Sequence, residues 1–356
     1  MLRDKIRDEK ENCAFFHYCQ NDDFNQKPYK ESTSSHKDKY KNFEFEQSAY
    51  DKPEFYVFSS CETNGQTQEN YCYNPSNDTI RHVSKLPYSY SKTSAIFLKS
   101  DIFMVNGFHG TSNGPDASKD HICMYNIESD TWKTNVFSSY SPYRSESVTL
   151  LDPTNSSKAY QFGGLTDDGS SYKNICMLDF NTFNLVSTNT LPYGGNISII
   201  NGVTQHNGFY LFSQPPDAKM IVMDMRESSI RQPKIINIPC INRLKDYSIT
   251  KTNDKIYISG GTIDPGKRRR SDAIYEIDVR MNEVSKVGTM PGGRINHGSF
   301  FYKNKLYFIG GQSVNGDNDE AIYIYDIRSK QWNLSKCRLP KKISVNCAVF
   351  NDKYFE

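Results

Sequence analysis

Lys255-Ile256-Tyr257-Ile258-Ser259-Gly260-Gly261, then Ile277-Asp278, then Val284 seven residues after Ile277, is the stretch whose reading decides the fold. The first run is short, aromatic and β-branched, and it ends on two glycines, so it reads as a strand that stops at a sharp turn. Asp254 and Asp278 lie where the chain must reverse, and an Asp or Asn there can bond its own following backbone. The surrounding unit therefore reads as four strands: Asp246–Thr252, Lys255–Ser259, Ala273–Ile277 and Glu283–Val287, closing at Met290-Pro291. Ile277 and Val284 fall on adjacent strands, where they can pair and fill the space between sheets.

The same unit recurs along the chain. An apolar residue followed by Asp or Asn, with a second apolar residue at an offset of seven, occurs at Tyr73-Asn74…Ile80, Tyr125-Asn126…Trp132, Leu178-Asp179…Leu185, Met223-Asp224…Ile230, Ile277-Asp278…Val284 and Tyr325-Asp326…Trp332. Upstream of each copy stands a strand ending in a small-residue pair: Ser59-Ser60, Asn106-Gly107, Gly163-Gly164, Ser213-Gln214, Gly260-Gly261 and Gly310-Gly311. The period is about 50 residues, and a period of that length sets the architecture before any single motif does. Both tryptophans, Trp132 and Trp332, occupy the second apolar position.

A strand ending in Gly-Gly, then Tyr-Asp, then Trp resembles the kelch repeat, over roughly residues 54–350. It is strongest in units two and six and degenerate in units one and four, where Ser59-Ser60 and Ser213-Gln214 replace the glycines. No Trp-Asp dipeptide occurs, which argues against the WD40 alternative. The resemblance implies an all-β fold, a six-bladed propeller of four-stranded blades. Unit one lacks its first strand, and Ile343–Phe350 matches the first strand of the other units. We expect that C-terminal segment to complete blade one beside Glu54–Ser60, so that the ring has no open edge. Residues 351–356 look like the start of another second strand, so either the chain ends there or the sequence belongs to a longer protein.

Residues 1–53 differ from the rest. They are polar and mixed in charge, with a short helical stretch over 2–12, and read as an extension that is mostly disordered or loosely packed. Cys13, His17 and Cys19, with His36 nearby, fall short of a structural zinc ligand set. The chain as a whole is 37% hydrophobic, a low value offset by 13% aromatic residues. A net charge of +2 argues against a dedicated nucleic-acid binder, and no apolar run reaches membrane-spanning length. The charged N-terminus lacks a signal-peptide core. Nine scattered cysteines form no disulfide framework, and we expect a cytoplasmic protein with no cofactor or metal.

No phosphate loop, nucleophile elbow or zinc-protease motif appears. The ligand pattern of iron-binding kelch-like specifier proteins, Glu-x3-Asp-x3-His, is absent, as is any recognisable copper-radical constellation. The resemblance instead directs attention to one rim of the ring, where loops between units and loops after the glycine pairs emerge together. The inter-unit loops carry Tyr or a cation soon after Pro, and no acid within the stretches 87–92, 142–145, 192–196, 239–243, 291–294 and 340–342. Tyr88, Tyr90, Lys92, Tyr143, Arg144, Tyr193, Arg243 and Arg294 are the candidate partner-binding residues, since Tyr and Arg anchor interfaces. In kelch substrate adaptors an Arg at this place helps hold acidic peptides, and Arg144 and Arg294 match it best.

These residues point to a non-catalytic protein-interaction scaffold that binds a partner protein or acidic peptide, in the manner of a ubiquitin-ligase substrate adaptor. A kelch-type enzyme or small-ligand binder using the central channel, and an actin-associated scaffold, are the alternatives. Lys267-Arg268-Arg269-Arg270 before Ser271 reads as a solvated loop, a basophilic phosphorylation site or a localisation signal. His297 reads as a structural histidine.

Overall fold

A computed structural model describes residues 53–59, 69–87, 90–105, 108–109, 122–134, 136–137, 144–165, 170–190, 199–213, 218–225, 233–264 and 269–350. Residues 1–52 of the N-terminal extension and residues 351–356 lie outside them. The described chain forms six four-stranded antiparallel sheets arranged as the blades of a propeller. The blade-five strands run Ser248–Lys251, Lys255–Ser259, Ala273–Asp278 and Glu283–Thr289, within a few residues of the expected bounds. The 3-10 turn at Pro239–Ile241 is the one helical element among the described residues.

The repeated residues do what their chemistry predicts. The offset-seven residues are direct cross-strand partners: Tyr73↔Ile80, Tyr125↔Trp132, Leu178↔Leu185, Ile277↔Val284 and Tyr325↔Trp332. Ile230 lies outside the described residues. Asn74, Asn126, Asp179, Asp278 and Asp326 each accept a backbone N–H two or three residues on, which fixes the turn between the third and fourth strands.

The glycine pairs are required by contact as well as by conformation. Gly163, Gly164, Gly260, Gly261, Gly310 and Gly311 all have positive φ. A Cβ on Gly163 would stand 2.6–2.9 Å from Ile199 of the next blade, and one on Gly260 would strike the Arg294 carbonyl, also in the next blade. A Cβ on Gly261 or Gly311 would instead meet the segment leading into the first strand of its own blade, at Lys245 and His297. The first glycine thus seats one blade on its neighbour, and the second lets the strand turn inside its own blade. Blades one and four use a different device. The hydroxyls of Ser59 and Ser213 accept the backbone N–H of Glu69 and Lys219, where the third strand begins.

Phe55–Ser59 pairs with Val345–Phe350, so the C-terminal strand completes blade one as expected. Ile343 belongs elsewhere: it ends the long strand Gln331–Ile343 and pairs with Asp319 of blade six. Six apolar clusters fill the seams between adjacent blades. At the closing seam, Phe300 of blade six stacks on Phe55 at 4.3 Å and on Phe350 at 4.9 Å, both of blade one. Polar staples reinforce two seams. Asp78 of blade one accepts from the Ser335 hydroxyl and the Lys336 N–H of blade six. Asp130 of blade two accepts from the Ser84 N–H of blade one at 2.9 Å.

Candidate functional site

The rim segments that sequence reading treats as loops are partly strands. Just before entering the channel wall, the chain pairs with the segment that follows the small-residue pair of the same blade. The contacts are Ser91↔Phe108 in blade two, Ser145↔Leu165 in blade three, Lys245↔Thr262 in blade five and Ile295↔Gln312 in blade six. Together they form a collar around one mouth of the channel. The next residue in each case is Lys92, Glu146, Asp246 or Asn296, with φ of 55°, 56°, 55° and 48°. This left-handed step turns the chain from the collar into the wall and places four polar side chains at equivalent points of the mouth.

The mouth carries both signs of charge. Lys92 and Glu146 form an ion pair between blades two and three. Lys245 and Asp246 are exposed and also line the channel. Glu146 and Asp246 lie just beyond the inter-unit stretches that contain no acid, and they bring negative charge to the mouth beside the cations.

Of the expected partner-binding residues, Lys92 stands at the mouth, and Arg243 is exposed just after the 3-10 turn. Tyr90 is placed by its backbone in the collar, where it pairs with His109. Tyr88, Tyr143 and Tyr193 lie outside the described residues. Arg144 and Arg294 differ from expectation: they are 0% and 5% exposed and turn into their own blades. Arg144 donates to the carbonyls of Gly163 and Asn174 at 3.3 Å and to Cys176 Sγ at 2.8 Å, and stacks over the Tyr172 ring at 3.6 Å. Arg294 meets Asp319 Oδ2 at 3.3 Å and lies over the Tyr323 ring at 4.2 Å. Tyr172 and Asp319 both lie seven residues before the turn Asp of their blade, and Cys176 and Tyr323 both lie three before it. Each arginine thus clamps the same two positions of its own third strand, with different chemistry. Burial pulls the Arg144 pKa below its usual value, yet guanidinium stays charged because that value starts so high.

Two other expectations find places. His297 is buried against the blade-five glycine pair, its Nε2 is 2.9 Å from the Ser259 hydroxyl, and burial followed by the Arg294 charge pushes its pKa down to about 3. Ser271 is also buried. Its Oγ accepts the Ala273 N–H, its carbonyl accepts the Arg294 N–H, and Arg269–Arg270 before it is a strand paired with Thr262–Asp264. In this fold a kinase cannot reach Ser271.

Below the mouth, the six first strands enclose a cavity of about 440 Å³. Side-chain hydrogen bonds tie one wall strand to the next. Ser94 Oγ accepts the Thr149 N–H at 2.8 Å, Ser248 and Ser299 share a bond of 2.7 Å, and Asn346 Oδ1 accepts the Thr93 N–H at 3.0 Å. Among the described residues no His, Cys, Asp and Glu side chains group as a metal site, and no helix is long and apolar enough to cross a membrane.

No protein-family model matches the chain. No curated protein matches it in sequence either. Among solved structures, YjhT is similar, with a TM-score of 0.60, 14% identity, and coverage of 75% of this chain and 90% of that one. At that identity the likeness shows a shared fold alone, and 843 solved chains resemble this one. The chain is a six-bladed β-propeller.

Proposed function

We propose that this propeller is a non-catalytic interaction scaffold of the kelch type, which takes a partner protein at the collar face. The observation that carries this reading is the convergence of blades two, three, five and six on one mouth, each presenting a polar side chain from a backbone step that costs conformational energy. Lys92, Arg243 and Lys245 are exposed cations there. A rim contact needs only such side chains and the loop backbones around them, and no described cluster calls for a resident metal. Recruitment of substrates to a ubiquitin ligase in the cytoplasm is the role in which such a face acts; actin scaffolding would use the same surface. Arg144 and Arg294 serve this reading as supports of the collar, since both are committed inside their blades.

The test is an affinity capture comparing wild type with the Lys92→Ala/Arg243→Ala variant, both exposed positions that leave the core intact. Partners lost only from the variant support the rim. Identical partners from both proteins would move the contact to another face.

A further inference from the structure

The fourth strand of each blade lies on the outside of the ring, at the edge of its sheet. Such an edge is a template for another strand, and proteins protect it with charge, proline or shortness. Five of the edges here carry that protection. Thr79–Val83 of blade one holds Arg81, and Thr131–Lys133 of blade two is three residues long and ends on a lysine. Lys234–Asn237 of blade four begins with a lysine, and Glu283–Thr289 of blade five holds Glu283 and Lys286. Gln331–Ile343 of blade six holds Lys336, Arg338 and Pro340. Asn184–Thr190 of blade three is the exception: seven residues, none of them charged, glycine or proline. No charged residue occurs anywhere between Asp179 and His206.

The same edge is regular and apolar where it is exposed. Its register with the third strand is unbroken from Asn184 to Ser187, so its backbone groups keep strand spacing there. Val186 is 46% exposed, and Phe183, immediately before the strand, is 37% exposed. Apolar residues are exposed on two other edges, but Ile235 adjoins Lys234 and Leu334 lies two residues from Lys336.

The charge pattern indicates the occupant. A two-fold contact sets a strand against its own copy, so a charge near the centre meets its own kind. The blade-three edge has no such charge. Antiparallel pairing centred on Val186 places Val186 opposite Val186, Leu185 opposite Ser187 and Asn184 opposite Thr188. That register buries no charge and covers the exposed valine.

We infer that the blade-three edge is a self-association surface, on which a second copy of this chain adds its own Asn184–Thr190 as an antiparallel strand. The edge lies outside the ring, so both collar mouths stay open. This goes beyond the collar reading and does not depend on it.

Sedimentation velocity of the full chain tests it. An edge of seven residues is at the small end of specific interfaces, so half-dimerisation is expected at a concentration on the order of 100 µM. Val186→Lys sets lysine against lysine and is expected to weaken the dimer about tenfold. Val186→Asp should do the same alone, and mixing the two variants should restore association as a heterodimer. Ile235→Lys, on the blade-four edge, should dimerise as wild type does. Both positions are already exposed, and melting curves establish that each variant is folded. The inference is overturned if the wild type stays monomeric up to about 500 µM, if folded Val186→Lys dimerises as wild type does, if Ile235→Lys abolishes the dimer, or if the mixture gains nothing over either variant alone. A monomeric protein that takes up an uncharged peptide of the 184–190 sequence would give the edge to a foreign strand instead.

Discussion

Replacing Phe300 by alanine tests whether aromatic packing closes the ring. Phe300 is 1% exposed and stacks on Phe55 at 4.3 Å, Tyr307 at 4.6 Å and Phe350 at 4.9 Å. Two of those three rings belong to blade one, so the substitution empties the seam where the chain's two ends meet. Truncating a buried Phe costs about 3–5 kcal/mol from lost burial and the residual cavity. The low end of that range is exceeded, because three ring contacts vanish and aromatic pairs contribute beyond their area. Urea unfolding would be followed by fluorescence of Trp132 and Trp332, which report from blades two and six. We expect a loss of about 4 kcal/mol, or a fall in melting temperature of roughly 8 °C for a domain of this size. Phe300→Leu keeps most of the volume and should lose less than about 1.5 kcal/mol. A Phe300→Ala loss below about 1 kcal/mol would refute the reasoning, since the seam would then have to be held by its backbone pairing alone.

Gly163→Ala should destabilise by about 2–4 kcal/mol in the same assay, because positive φ and a close approach to Ile199 act together. Gly292→Ala, with positive φ but nothing within 4 Å, should lose only about 1 kcal/mol. Arg144→Ala should lower the melting temperature with no partner present, since it strips buried carbonyls of their donor; an unchanged melt would show that the guanidinium is dispensable. Burial raises the pKa of Asp78 and Asp130, but hydrogen bonds outweigh it and hold both below the usual carboxylate value: Asp78 by Ser335 and Lys336 across the seam, Asp130 by Tyr125 of its own blade and Ser84 across the seam. Their stabilisation is therefore complete above the unfolded pKa of about 3.9 and is lost as pH falls through the lower folded value. An Asp78→Asn/Asp130→Asn variant should show a flatter acid limb in a stability-against-pH curve. A basophilic kinase should phosphorylate Ser271 in the urea-unfolded chain after refolding is blocked, and not in the native protein; efficient native labelling would contradict its burial.

Residue order alone determined the architecture. The period, the offset-seven pairs, the turn Asp and Asn residues and the missing first strand of unit one are local facts, and each follows from strand alternation, turn chemistry or the space a Cβ needs. Ring closure was legible for the same reason, since a sixfold repeat with one strand misplaced has a single way to pair its edges. What the rim does was decided only in three dimensions. An arginine soon after a proline looks solvated in a sequence, yet Arg144 and Arg294 are buried because positions seven and three before the turn Asp come to face them across the blade. Glu146 and Asp246 join Lys92 and Asn296 at the mouth through a shared left-handed backbone step, and Lys and Glu give no hint in sequence that they adopt it. The polar channel wall was likewise invisible, because its members are single residues from six separate strands that only the closed ring brings together.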